Sequence, residues 1–323
     1  MSENRNKPFL FSAFSLEKMK RIVFCLFFFL LFISCHGETK KEMYASEILK
    51  LINKGEPIQF YEKIILDDLD FSEAKDAHIL SIFYIQKPIR SNIFFINCVF
   101  MGKVSATGTY EKMQTVVLFE KNVTFFNCDF RGGANFDNMT VRGELSVAKS
   151  TFRSPTSFNQ ITVFGERNSF WEIVAESSFD MVNPHFHGDV NFMDATFQKY
   201  ASFQGMKVNS PQFNNVHFMK EVDFSNTIVH GNTFFNYVKF EGNALFSYSK
   251  FFGDVDFLHN NYQNQSDFSN SFFYGQSRFN NTVFQEDANF SGSIFIQSPQ
   301  MEQITSKKEI EVQVIDNQKI IFK

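Results

Sequence analysis

The sequence predicts an all-β repeat solenoid with a short helix covering its first coil, and three observations predict it. Phe occurs 46 times against one Trp and 9 Tyr. An ordinary core uses Leu, Ile and Val interchangeably because it needs only volume, so preference for one side chain implies one stereotyped slot used repeatedly. Second, large apolar residues recur at Phe213, Phe218, Phe224, Val229, Phe235, Phe240, Phe246, Phe251, Phe257, Tyr262, Phe268, Phe273, Phe279, Phe284, Phe290 and Phe295, with gaps alternating five and six. The underlying period is eleven. Third, two residues before each lies a mostly small or β-branched residue, as at Val216, Thr227, Ala244, Ser249, Ser271 and Thr282, with Pro211 and Asn260 departing from the rule. Positions i and i−2 of an extended chain share a side, so each unit turns one large and one small side chain inward.

Taken in chain order, residues 1–34 read as a signal segment. Met19-Lys20-Arg21 precedes an apolar run from Ile22 to Ile33, too short to span a bilayer and suited to a secretory signal. Leu31-Phe32-Ile33-Ser34-Cys35 resembles a bacterial lipobox, which implies lipidation at Cys35 and attachment to a membrane of the bacterial cell envelope. Met19 alone would begin a complete signal, so it is the expected start. Removing the segment takes the net charge from −4 to −7, because it carries Arg5, Lys7, Lys18, Lys20 and Arg21 against Glu3 and Glu17. A mildly acidic body gives no reason to expect nucleic acid as a partner.

Residues 35–57 form a tether and capping helix. Thr39-Lys40-Lys41-Glu42 has the form of a capping box, Ala45, Ile48, Leu49 and Ile52 recur at helical spacing, and Gly55 with Pro57 supplies a stop. Such a helix would cover strand edges that an open solenoid end exposes.

Residues 58–295 carry the repeat. Ala134-Asn135-Phe136, Val255-Asp256-Phe257 and Ala288-Asn289-Phe290 place a small residue, then Asn or Asp, then Phe. In this the chain resembles the pentapeptide-repeat family, best from Phe119 to Phe295 and more thinly over Ile58–Phe71 and Phe95–Phe100. The resemblance implies a right-handed quadrilateral β-helix of four units, about 22 residues, per coil. Adding 22 then gives four core ladders: Phe213, Phe235, Phe257, Phe279; Phe218, Phe240, Tyr262, Phe284; Phe224, Phe246, Phe268, Phe290; and Val229, Phe251, Phe273, Phe295. Many six-residue gaps place Gly two residues after the apolar one, as at Gly132, Gly143, Gly231, Gly253 and Gly275, which suggests corners of positive φ. Insertions are expected near 72–94, 107–115 and 164–185, the last an outward loop holding Trp171. Residues 296–323 would close the far end, with a hairpin turning at Asp316-Asn317.

The search for chemistry yields little. His36, His78, His185, His187, His217, His230 and His259 scatter over different units, and Asp67-Asp68-Leu69-Asp70 lacks the Gly and distant Glu of an EF-hand loop. No metal, cofactor or catalytic residue is assigned. Cys98 and Cys128 both occupy i−2 positions, 30 residues apart, one 22-residue coil plus an insertion of 8, so they should stack in neighbouring coils within reach of a disulfide. The leading expectation for function is a non-catalytic, lipid-anchored scaffold or binding protein that offers its wall to a protein or glycan. Two alternatives are a DNA mimic that inhibits a topoisomerase, and an enzyme whose groove is lined by Trp171, Glu172 and Glu176.

Overall fold

A computed structural model of the chain describes residues 40–316 and 319–322. The signal segment, Cys25, Cys35 and His36 lie outside the described residues. From Lys41 onward the chain is a parallel β-solenoid of about twelve turns whose strands pair coil to coil in four sheets of 12, 14, 10 and 10 strands. One coil visits the faces in the order Val123–Phe126, Asp129–Phe130, Ala134–Asn135 and Thr140–Val141, called first to fourth below. The next begins at Leu145, directly against Val123. Most wall strands are two residues long because each five- or six-residue unit must also turn a corner.

The interior is built of rings. Phe213 stacks on Phe235 at 4.9 Å and Phe235 on Phe257 at 5.1 Å, with ring planes within 8° of parallel. The same holds for Phe224, Phe246 and Phe268 at 5.1 and 4.8 Å, and Phe251, Phe273 and Phe295 stack at 5.2 and 4.4 Å with planes within 11° of parallel. Between ladders the rings meet edge to face, as Phe246 meets Phe235 and Phe257, both at 5.4 Å. Each such pair contributes about 0.5–1.5 kcal/mol beyond the area it buries. Beneath the rings, the small inward residues carry hydrogen bonds along the stack. Ser249 Oγ donates to the Phe224 carbonyl (2.8 Å) and accepts from Thr227 N–H (3.2 Å), and Ser271 repeats the pattern one coil on. Outside, Asn214, Asn232 and Asn236 side chains accept backbone N–H groups 22 residues later at 3.0–3.1 Å. The core from Met43 to Val314 is one continuous cluster, so the unit from Lys41 onward carries its own core.

The glycines work differently from the expectation. Apart from Gly133 (88°), positive φ in the regular coils belongs to the five-residue steps, two residues past the ring, and mostly to other residues: Asn127 (53°), Asn138 (60°), Asn226 (59°), Tyr248 (59°), His259 (57°). None of Gly132, Gly143, Gly231, Gly253 or Gly275 is in that region. Their reason is contact: a Cβ on Gly253 would lie 2.3 Å from the Gly231 carbonyl oxygen, and one on Gly275 equally close to that of Gly253. A six-residue corner folds back onto the coil before it, which leaves no room for a side chain.

The expected insertion at 164–185 is corrected. Those residues form an ordinary turn of wall, with strands Arg167–Ser169, Val174–Ala175, Phe179–Asp180 and His185–Phe186 each paired on both sides. Two local changes hide its rhythm. Seven residues rather than six separate Val163 from Phe170, so Ser146 pairs with Ser169, 23 residues on. Asn168 absorbs the extra residue: its buried amide accepts from Leu145 N–H (3.0 Å) and donates to the Gly165 (2.9 Å) and Asp189 (3.1 Å) carbonyls. Moreover, large and small exchange places. Ala175 stands in the ring slot between Phe152 and Phe197, while Phe179 occupies an i−2 slot on the third face. From there the Phe179 ring reaches Phe197 (5.2 Å), Phe158 (5.6 Å) and Phe152 (6.0 Å), filling the volume Ala175 leaves. A short step from Val208 to Phe213 gives the coil pairing Val190 with Pro211, 21 residues on.

The other two excursions leave the solenoid as one arm. Strand Tyr84–Ile89 pairs with Met113–Phe119 along its whole length, and outer hairpin partners His78–Ile79 and Thr107–Tyr110 complete it. The N-terminal helix spans Ala45–Ile52, with Tyr44 as N-cap. Residues 41–43 are a strand on Lys63–Ile65, so the helix starts later than the Thr39–Glu42 pattern implied. Glu47 accepts the Tyr44 N–H (3.1 Å) and Asp67 the Ala45 N–H (2.7 Å). At the far end Gln313–Asp316 and Lys319–Phe322 form an antiparallel hairpin added to the fourth face.

Candidate interaction surface

A core closed by stacked rings leaves the outer walls as the working surface. On the fourth face, the residues directly following the ring positions make a column: Phe164, His187, Asn209, His230, Phe252, Tyr274. Parallel strands in register place these side chains one above another. Phe164 stacks on His187 at 4.3 Å, His187 on His185 at 4.2 Å and His230 on Phe252 at 5.7 Å; Tyr274 lies 6.4 Å from Phe252 and 6.2 Å from Phe272. Phe164, Phe252 and Tyr274 are nonetheless exposed. Partial burial, then the charges of His187, Lys207 and His230, push the His185 imidazole below its ordinary pKa, so this wall stays uncharged at His185 near neutrality.

Some of the charge on the other walls is paired along the columns. Arg153 contacts Asp129 (2.7 Å) and Glu176 (3.0 Å), Arg278 contacts Asp254 (2.9 Å) and Asp256 (2.8 Å), and Glu241 contacts His217 (2.9 Å) and Lys239. Partners 22 to 24 residues apart meet because one coil is one strand spacing.

The residues singled out from sequence fall into this framework. Trp171, Glu172 and Glu176 belong to the wall and not to a groove: the indole N–H donates to Asp194 (3.2 Å), Lys149 sits 4.6 Å from the indole ring and 3.4 Å from Glu172, and Glu176 meets Arg153. The enzyme reading built on a loop there therefore loses its loop. Asp67, Asp68 and Asp70 are spent on backbone N–H groups of Ala45, Lys103 and Ser72, at 2.7, 2.7 and 2.8 Å. Cys98 and Cys128 lie in adjacent coils, since Val99 pairs with Asp129. Both are buried, and Cys128 Sγ is 3.4 Å from the Phe95 carbonyl oxygen. Ser150 continues their column and accepts from Cys128 N–H (3.1 Å). Both side chains thus fill the hydrogen-bonding slot that serines fill elsewhere. Asn260 and Tyr262, the two polar departures from the rhythm, belong to one unit. Tyr262 stacks between Phe240 and Phe284 at 4.5 and 4.9 Å, and burial raises its phenol pKa while Asn260 opposes the shift. Asn260 Oδ1 accepts from Val238 N–H (2.8 Å). Sequence reasoning missed Asn168 and Phe179; an Asn in a buried i−2 slot was the available signal.

Four parallel faces around ring ladders at a 22-residue repeat define the chain as a quadrilateral β-solenoid. Residues 213–259 match the family model for pentapeptide repeats, nine copies, and the stacked Phe core on either side of them is consistent with a pentapeptide-repeat protein. No curated protein and no solved structure matches it.

Proposed function

We propose that this chain is a non-catalytic binding scaffold, anchored to a membrane of the cell envelope by lipid on Cys35, that offers its fourth face to a protein or glycan. The observation that carries the reading is the exposed aromatic and histidine column from Phe164 to Tyr274 on a wall fixed by the rings behind it. Contiguous exposed apolar surface is uncommon on a solitary protein, and aromatic faces suit both sugar rings and protein side chains. Because the backbone beneath is tied coil to coil, little ordering entropy is lost on binding. A net charge of −7 spread over the chain beyond residue 34 gives little support to a DNA mimic.

Two experiments test this. Fatty-acid labelling in cells should disappear with Cys35→Ser and leave an unprocessed precursor; unchanged labelling overturns the anchor. Glycan arrays and cross-linking to envelope proteins, using the chain from Glu38, should return a ligand whose affinity falls at least about tenfold in Phe252→Ala/Tyr274→Ala, the scale of an interface hot spot. Steady turnover of a screened compound would replace the binding reading with an enzymatic one.

A further inference from the structure

The paired-hairpin arm ends in an apolar tip without parallel elsewhere on the described surface. Ile79, Leu80, Ile82 and Phe83 are 74, 56, 81 and 66 % exposed, and Tyr84 and Tyr110 at its base are 43 and 50 % exposed. From Ala77 to Gln86 the sequence carries no formal charge. Much of its polar backbone is already satisfied: Leu80 and Ser81 N–H donate to the Tyr84 carbonyl (3.0 and 3.2 Å), Phe83 and Tyr84 N–H to Ser81 Oγ (3.1 and 3.2 Å), and Gln114 N–H to the Phe83 carbonyl (2.8 Å). At the root, buried Lys87 donates to the Ala74 carbonyl (2.8 Å) and lies 5.6 Å from the Tyr110 ring, bracing one hairpin against the other.

We infer that this tip inserts into the interfacial region of a lipid bilayer. Water-exposed aliphatic side chains are stabilised by transfer to acyl chains, and the transfer is opposed chiefly by backbone groups that lose their water. Here four N–H groups of the turn have internal partners, so that opposition is reduced. Tyr84 and Tyr110 sit behind the aliphatic residues, the arrangement of aromatic rings at a headgroup boundary. A protein partner is the poorer fit, because specific interfaces surround an apolar centre with a polar rim, and within Ile79–Phe83 the one polar side chain is Ser81, whose oxygen is already used; the exposed Glu111-Lys112 turn of the neighbouring hairpin lies to one side, at headgroup level. Placement agrees. Strand His78–Ile79 is the outermost strand of the fourth face, and the chain enters the solenoid through Lys41–Met43, the outermost strand of the second face at the same end. A lipid on Cys35 would hold that end within about 20 Å of the bilayer, the reach of six extended residues. In that last respect the inference rests on the anchor proposed above; the exposed tip itself does not.

The test uses the chain from Glu38, which lacks Cys35 and whose core is complete. It should sediment with phosphatidylethanolamine/phosphatidylglycerol vesicles, and Leu80→Ser/Ile82→Ser/Phe83→Ser should lower the bound fraction at least about tenfold with an unchanged melting temperature. In a second reading, Phe83→Trp with Trp171→Phe should shift its emission to the blue when vesicles are added. Protein remaining in the supernatant, equal binding by the triple variant, or no blue shift overturns the inference. Failure here leaves the anchor standing, and loss of label dependence at Cys35 leaves the tip standing, because the vesicle test uses a chain without Cys35 and the labelling reads Cys35 alone.

Discussion

The stack from Phe213 to Phe295 and the turn from Val163 to Val208 meet one packing requirement by different routes. In the first, every inward slot repeats the one 22 residues before it, so rings lie on rings and side chains need no adjustment. In the second, a residue is gained before Phe170 and lost before Phe213, and a ring moves from the slot of Ala175 to that of Phe179. What must be conserved within a coil is therefore filled volume and satisfied backbone, not the identity of any position.

The largest effect should come from the regular stack. Phe246→Ala removes a ring with stacked neighbours on both sides and edge contacts between them, and should cost about 3–5 kcal/mol, whereas Lys250→Ala on the outer wall should change stability by under about 0.5 kcal/mol. Equal melting shifts for the two would contradict the ring register. The exchanged pair comes next. Ala175→Phe alone should overpack the coil by about 1–3 kcal/mol, and adding Phe179→Ala should recover much of that loss by restoring the ordinary arrangement. A double-mutant cycle with additivity inside about 0.5 kcal/mol would mean that the two slots do not share one volume.

Asn168→Ala should cost about 1–3 kcal/mol, because it orphans the Leu145 N–H and removes donors from two carbonyls. Chemical denaturation measures it, and a loss near zero would show that the seven-residue step closes without the amide. The smallest effect is on the fourth face. The folded-state pKa of His185 is lowered, so between that value and the ordinary imidazole value the unfolded chain binds more protons, and stability falls as pH drops through that window. His185→Asn should therefore flatten the decline in melting temperature between neutral and mildly acidic pH, and an unaltered profile would remove His185 from the account.

Much of this was open to reading in the chain because a repeat fold converts period into position. A ring found at Phe224 locates those at Phe246, Phe268 and Phe290 once the resemblance to pentapeptide repeats supplies four units of alternating five and six residues to a coil. The outer column on the fourth face was less accessible. Phe164, His187, His230 and Phe252 are separated by 23, 43 and 22 residues, and they align only once the long and short coils have been placed.

By itself the sequence determined the repeat, the inward and outward alternation and the all-β solenoid, since these follow from local periodicity and the geometry of extended chain. Tertiary structure alone decided that Gly253 is there for close approach to Gly231 and not for a left-handed corner, that Phe179 stands in for Ala175, and that Asn168 closes an irregular coil. It also placed the uncharged run from Ile79 to Tyr84 at the end of an arm, in water, when the same residues in a wall would have been core. The physical reason is common to all four. Each depends on which atoms of another coil lie alongside, a distance across the stack that no pattern along the chain records.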